Sequence, residues 1–241
     1  MFFIRKIVLG LLLCGCICQA DDNIIKLSPF AKKVRKVSSG EVYMRVNAEK
    51  QHGETCNPTS MSMILDYYGV RVSSAKLCKD SEDNKDENAR ESYKTSAYLE
   101  EQLKKYKMKM LWLPMRQGYE KEVFEVVKRS IDCGLMLQWL VHLLEAPDYD
   151  VPRRMKKYIR KEGGNDGHAR VIHGYVLNKK NKQLKALLFS DSWGVKHRKK
   201  DIALKDVVPM TKGFFIVVPQ NINIKVIKYI YEPVIKLLKE K

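Results

Sequence analysis

Residues 51–69, QHGETCNPTSMSMILDYYG, decide how the rest of the chain is read. Pro58 suits a first helical turn because its missing N–H is not needed there. Met61, Leu65 and Tyr68 recur at helical spacing with Ile64 beside them, and Gly69 supplies a left-handed stop. The pattern predicts a largely buried helix with Cys56 at or just before its N-terminus. The free N–H groups and positive dipole end of a helix stabilise an anion in the first turn, so this placement favours a thiolate at Cys56.

Around this helix the chain changes character. Residues 21–40 are polar and basic and read as an extended lead-in, and EVYMRVN from Glu41 alternates as a strand does. Residues 79–92 are too polar to bury and read as a surface loop. A helix is expected over 95–110, with Tyr98, Leu99, Leu103 and Tyr106 on one face, and another from Glu120 to Gly134. LMLQWLVHL from Leu135 follows as a buried strand, and the Pro-rich basic stretch 145–166 as a second surface excursion. The last third holds short apolar or alternating runs, HARVIHGYVLN, QLKALLFSD and GFFIVVP, separated by turn residues as in an antiparallel sheet. Helices early and strands late give an α+β fold, with the nucleophile helix packed on an antiparallel sheet. The organisation expected is a signal peptide at 1–20, the lead-in at 21–40, one domain at 41–219 and a basic amphipathic C-terminal helix at 220–241.

Arg5 and Lys6, the apolar stretch from Ile7 to Cys18 and the Gln19-Ala20 junction read as a secretory signal cleaved after Ala20, which predicts export to a periplasm, cell envelope or medium. The apolar run is shorter than the roughly 20 residues that span a bilayer. Leu13-Cys14-Gly15-Cys16 also resembles a bacterial lipobox, which would lipidate Cys16 and tether the protein. Cleavage after Ala20 leaves Cys56, Cys78 and Cys133, an odd number. Two readings stand open: a Cys78–Cys133 disulfide with Cys56 free, or three reduced thiols. With no Cys-x-x-Cys and no His-x-x-x-His, a zinc site is disfavoured, and no cofactor is called for.

The formal charge is +17, of which Arg5 and Lys6 supply only two. Such a surplus favours an anionic envelope polymer or membrane surface as neighbour. The basic clusters lack the interleaved aromatic residues of single-strand binding, so nucleic acid is not expected. The tail after Pro219 carries Ile227, Ile230, Tyr231, Val234 and Leu238 on one helical face; it either docks on its own domain or lies on an anionic membrane.

Two later motifs complete a nucleophilic site. GHARVIHGY (167–175) places a histidine at the start of an apolar strand, and FSDSWG (189–194) places Asp191 two residues before Trp193. A thiol attacks a carbonyl as the thiolate, a base must hold the proton, and a third group must orient that base. Cys56, His168 and Asp191 supply one of each. His173 is a rival base five residues further along the same strand, an odd separation that puts it on the opposite face in a regular strand.

Together these motifs resemble papain-like cysteine peptidases, and most nearly cysteine peptidase family thirty-nine, whose founding members cut leader peptides from bacteriocins. The resemblance spans Gln51 to Gly194 and implies a papain-like fold and cleavage of a peptide or isopeptide bond in a peptide or protein substrate. It makes Cys56 the nucleophile, His168 the general base and later acid, and Asp191 the orienting group, and gives Gln51 to the oxyanion together with the Cys56 backbone N–H. Asn57 departs from the family's usual glycine and is expected to crowd the substrate's approach. Two rivals share the scaffold: an inactive binding module for an anionic envelope partner, and an acyl transferase.

Overall fold

The computed structural model describes residues 22–52, 55–82, 96–147, 150–151 and 167–239. Along these segments lie α1 (Asp22–Lys26), β1 (Arg35–Lys36), β2 (Glu41–Tyr43), α2 (Cys56–Tyr67), α3 (Ser74–Glu82) and α4 (Ser96–Lys105). After them come β3 (Met108–Pro114), α5 (Glu120–Asp132), β4 (Leu137–His142), β5 (Gly167–Leu177), β6 (Leu184–Asp191) and β7 (Lys200–Ala203). The chain closes with α6 (Leu204–Met210), β8 (Thr211–Pro219) and α7 (Ile224–Lys239).

All strand pairs are antiparallel and share one sheet, as the α+β reading expects. Its axis is β5, eleven residues long. Gly167 to Ile172 pair with β4, Gly174 to Val176 pair with β2, and β6 runs along the other edge from Arg170 to Leu177. The sheet continues from β4 through β8 to β3, and from β6 to β7. Helix α2 packs against β5 and is buried from Asn57 to Leu65 because it is apolar or small on every side, not along one stripe. It stops at Gly69, whose φ of 85° only a residue without a Cβ adopts readily.

Helix α5 buries Val123, Val126, Val127 and Ile131 along the face expected of it. Against it lies α7, whose Val226, Ile227, Ile230 and Tyr231 are buried in the same core. The apolar stripe of the tail is thus docked on its own domain. Pro233 has no N–H to offer the carbonyl of Tyr229 four residues back. Arg129 Nη1 donates to that carbonyl instead, at 2.7 Å, and the same guanidinium pairs with Glu232 at 2.7 Å and Glu125 at 3.1 Å. Among the described residues no helix is long and apolar enough to cross a membrane.

Several local expectations are corrected. The lead-in is not extended throughout: it carries α1, a 3-10 turn at Ala31–Lys33 and β1, and Ser28 donates to the Cys133 carbonyl at 2.6 Å, tying it to the domain. Residues 79–82 belong to α3, so the polar loop begins later, and 83–95 lie outside the described residues. The helix over 95–110 ends at Lys105, because Lys107 turns the chain with φ 56° and the alternating Met108–Pro114 then forms β3. In the excursion over 145–166, Asp150 and Val151 are buried, not exposed. Cys78 and Cys133 are buried and not joined in a disulfide, which leaves all three described thiols reduced. The proposed signal segment, 1–20, with Cys16, lies outside the described residues.

Candidate active site

Cys56 is the first residue of α2 and half-buried. Thr59 N–H bonds the Thr55 carbonyl at 2.9 Å, the first rung of the helix, so the thiol sits in the first turn at the positive end of the helix dipole. His168 is the second residue of β5, and Asp191 the last residue of β6. The pairing of Arg170 with Asp191 and of Val171 with Ser190 brings the two strand ends together. His168 Nε2 lies 2.8 Å from Asp191 Oδ1, with His168 6% and Asp191 0% exposed. With Nε2 committed to the carboxylate, Nδ1 is the nitrogen left for the thiol. Helix packing on β5 therefore converts two distant motifs into one site, and the three residues expected to converge do so.

The acidities follow from the geometry. Burial pushes the Cys56 thiol up, but the hydrogen bond and charge of His168, with the backbone of Ala169, outweigh it and bring it below the ordinary thiol value. Burial pulls His168 down, yet the Asp191 charge and hydrogen bond, with those of Cys56, raise it to about 9. Burial likewise opposes ionisation of Asp191, and the charges of His168 and Arg170 overcome it, so its acidity lies below the usual carboxylate value. Both shifts act in the direction of a thiolate beside an imidazolium.

Trp193 stacks on His168 with ring centroids 4.7 Å apart and planes 16° off parallel, and His197 meets the same indole edge-on at 5.8 Å. The indole covers the imidazole face and keeps water from the buried His–Asp contact. Gln51 is anchored beside this corner. Its N–H donates to the Ser192 carbonyl at 2.7 Å, the Ser192 hydroxyl donates to its Oε1, and Lys50 bridges to Trp193.

Asn57 does not crowd the cleft as expected. Its Oδ1 and its carbonyl oxygen both accept from Gln138 Nε2, at 2.9 and 3.1 Å, so the side chain is turned into the protein at only 7% exposure. The parity argument against His173 does not carry through, because the register against β6 shifts between Ile172 and Gly174, where His173 sits. Its partner sets it apart from the site: Nδ1 lies 3.0 Å from the Met44 carbonyl oxygen.

Sequence reasoning missed Arg170, Asp150 and Ser192. Arg170, with no exposed surface, stands 2.9 Å by Nε from Asp191 Oδ2 and 2.6 Å by Nη1 from Asp150 Oδ2. These are charge contacts, off the alignment of a hydrogen bond. The available signal was a guanidinium two residues after His168, on the same strand face and inside an apolar run. For Asp150, in an excursion read as solvated, nothing pointed inward.

Residues 43–212 match the family model described as Peptidase C39-like family. Among solved structures, a double glycine motif protease from an AMS/PCAT transporter, crystallised with the leader peptide, aligns with TM-score 0.44 and 12% identity, covering 76% of this chain and 94% of that one. The peptidase domain of Streptococcus ComA, a bi-functional ABC transporter, aligns with TM-score 0.44 and 15% identity, over 73% of this chain and 98% of that one. A protein from Bacillus anthracis described as C39-like aligns with TM-score 0.45 and 15% identity, over 72% and 94%. No curated protein matches the chain.

Proposed function

The chain belongs to the C39-like peptidase family, and from that premise we propose that it is an exported thiol peptidase working through Cys56, His168, Asp191 and Gln51. One observation carries the reading: a thiol at a helix start shares a buried imidazole with a carboxylate 2.8 Å from that ring. The Cys56 thiolate attacks the carbonyl carbon of a peptide or isopeptide bond in a peptide or protein substrate, forming the C–S bond as the carbonyl π pair moves to oxygen. The Gln51 NH₂ and the Cys56 backbone N–H receive the oxyanion. His168, already protonated, gives its proton to the leaving nitrogen as the C–N bond breaks. Water then attacks the thioester while His168 takes its proton, and the acid leaves with the thiolate regenerated. Asp191 fixes the ring for both transfers and neutralises its charge.

Export is supported by the charged start, apolar stretch and Gln19-Ala20 junction, and the charge of +17 suits an acidic envelope polymer or membrane face nearby. The test is a quenched-peptide library with the full chain, followed by mass analysis of the cleaved bonds. Cys56→Ala is expected to remove cleavage by about 10³-fold or more, and iodoacetamide is expected to label Cys56 at pH 6 far faster than an ordinary thiol. Cleavage that survives Cys56→Ala, or labelling at the rate of a free thiol, sinks the proposal.

A further inference from the structure

Neither attack nor proton transfer in this site needs a guanidinium, yet Arg170 is wholly buried beside it. Three rings enclose it, Phe189 at 4.7 Å, Trp139 at 5.4 Å and Trp193 at 5.5 Å from the guanidinium carbon. Taking such an ion out of water is costly even after the protein relaxes, so its presence asks for an explanation. Its two contacts supply one. Nε approaches the Asp191 oxygen that His168 does not use, and Nη1 approaches Asp150, which enters from the segment leading off β4. The groups thus form an alternating chain of charge: Cys56 thiolate, His168 imidazolium, Asp191 carboxylate, Arg170 guanidinium, Asp150 carboxylate.

We propose that Arg170 is a positioning residue for the active site and Asp150 its counter-charge, so that the buried Arg170–Asp150 pair sets the charge balance on Asp191 and, through it, the pH range of the Cys56–His168 ion pair. The inference rests on the reading of Cys56 and His168 as nucleophile and base. Cys56 from α2 and Asp191 from β6 act on the imidazole directly, Arg170 from β5 and His197 from the turn after Trp193 act on Asp191, and Asp150 acts through Arg170. Removing the Asp150 charge leaves the guanidinium unbalanced; its positive field then disfavours imidazolium and favours thiolate, and both limits of the ion pair move to lower pH. Removing the Arg170 charge reverses both signs, and the limits move to higher pH.

The experiment measures iodoacetamide alkylation of Cys56 against pH in the full chain, with circular dichroism and thermal melting on each variant. Asp150→Asn is expected to shift the acid and alkaline limbs down by about 0.5–1.5 pH units, and Arg170→Gln to shift them up by a similar amount. The double variant is expected to return most of the way to the wild-type profile, since the two effects act through one charge pair. Arg170→Lys keeps the charge and serves if the glutamine variant does not fold: its limbs are expected within about 0.3 unit of wild type, whatever its melting temperature. The proposal is overturned if both single variants leave the limbs in place, if both move them the same way, or if Arg170→Lys moves them as far as a loss of charge would. A wild-type Cys56 with ordinary thiol reactivity removes the functional reading and this inference together, whereas a reactive Cys56 that the variants do not perturb removes this inference alone.

Discussion

His168 and His173 stand five residues apart on β5, both buried, with opposite acidities: His168 is raised to about 9 and His173 is lowered to about 4. Burial acts the same way on both and pulls each ring toward neutrality. The partner makes the difference. The first half of β5 meets a carboxylate on β6, and the second half meets the Met44 carbonyl, a dipole too weak to repay the lost hydration. One strand thus holds a charged ring at its working end and a neutral, structural ring at its packed end. Sequence position alone does not separate them.

The largest effect expected to break this contrast comes from deleting each ring in turn. His168→Ala removes the cation that favours the Cys56 thiolate, so alkylation at pH 6 should fall by about 100-fold, toward the small thiolate fraction of a thiol of ordinary or weakened acidity. His173→Ala should change that rate by less than about threefold while lowering the melting temperature, because it empties a packed position away from the thiol. Equal losses in both variants would mean that the packed half of β5 also governs the chemistry. A subtler change is Asp191→Asn, which keeps a hydrogen-bond acceptor for His168 Nε2 and removes the charge. The alkaline limit of the ion pair should then fall from about 9 by roughly 1–2 pH units, read by alkylation or by the imidazole NMR shifts. A limit that does not move would show that the hydrogen bond, and not the charge, sustains the imidazolium.

The same two rings place opposite edges on stability against pH. His168 has its folded value raised, so its contribution is complete below the unfolded value near 6.5 and is lost as pH rises toward about 9. His173 has its folded value depressed, so the unfolded chain takes up a proton below about 6.5 that the folded chain refuses until about 4. Over that acid window His173 alone is expected to cost about 2–3 kcal/mol. Asp191, whose folded value is lowered, loses its contribution only at still lower pH, outside this window. Cys56, whose folded value is lowered, gains with rising pH over the range in which His168 loses, so urea unfolding should show its loss of stability on the acid side of pH 6.5 and much less change toward pH 9. His173→Asn, whose amide can donate to the Met44 carbonyl, should flatten the acid side and leave the alkaline side as it was; a change on the alkaline side would mean that the rings are coupled.

Much of this contrast was written in the sequence, and its missing parts have physical reasons. Cys56 was legible because a helix start is local chemistry: Pro58, the spacing of Met61 and Leu65, and Gly69 all lie within fourteen residues of it. His168 and Asp191 were legible as motifs, and the strand pairing that joins them follows from two neighbouring apolar runs. The register shift at His173 was not, since a bulge changes the period of side chains without a mark in their composition. Arg170 is a lone charge in the apolar run of β5, a pattern that by itself names no partner. Asp150 was out of reach, because burial of one carboxylate in a polar stretch depends on a cation supplied by another strand. Strand β3 was lost to a helix reading that ran across Lys107, where one residue of positive φ changes the periodicity from helix to strand.

The smallest effect concerns Gly174, next to the neutral ring, where β5 passes from β4 to β2. A Cβ added there would lie 2.6 Å from the Val42 carbonyl oxygen and 2.7 Å from the Tyr43 Cβ, and neither atom belongs to the free end of a flexible side chain. The paired strands must part to admit it, so Gly174→Ala should cost about 1–3 kcal/mol in urea unfolding. The strain falls on the β2 side of β5, while the Asp191 contact is held by Arg170 and His168 on the other side of the register shift. The pH profile of Cys56 alkylation should therefore stay as in wild type, even in a less stable protein. If one added methyl at Gly174 also moved that profile, strain would be crossing the shift at residue 173, and the two halves of β5 would form one mechanical unit, with acidity at His168 set in part by the fit between β5 and β2.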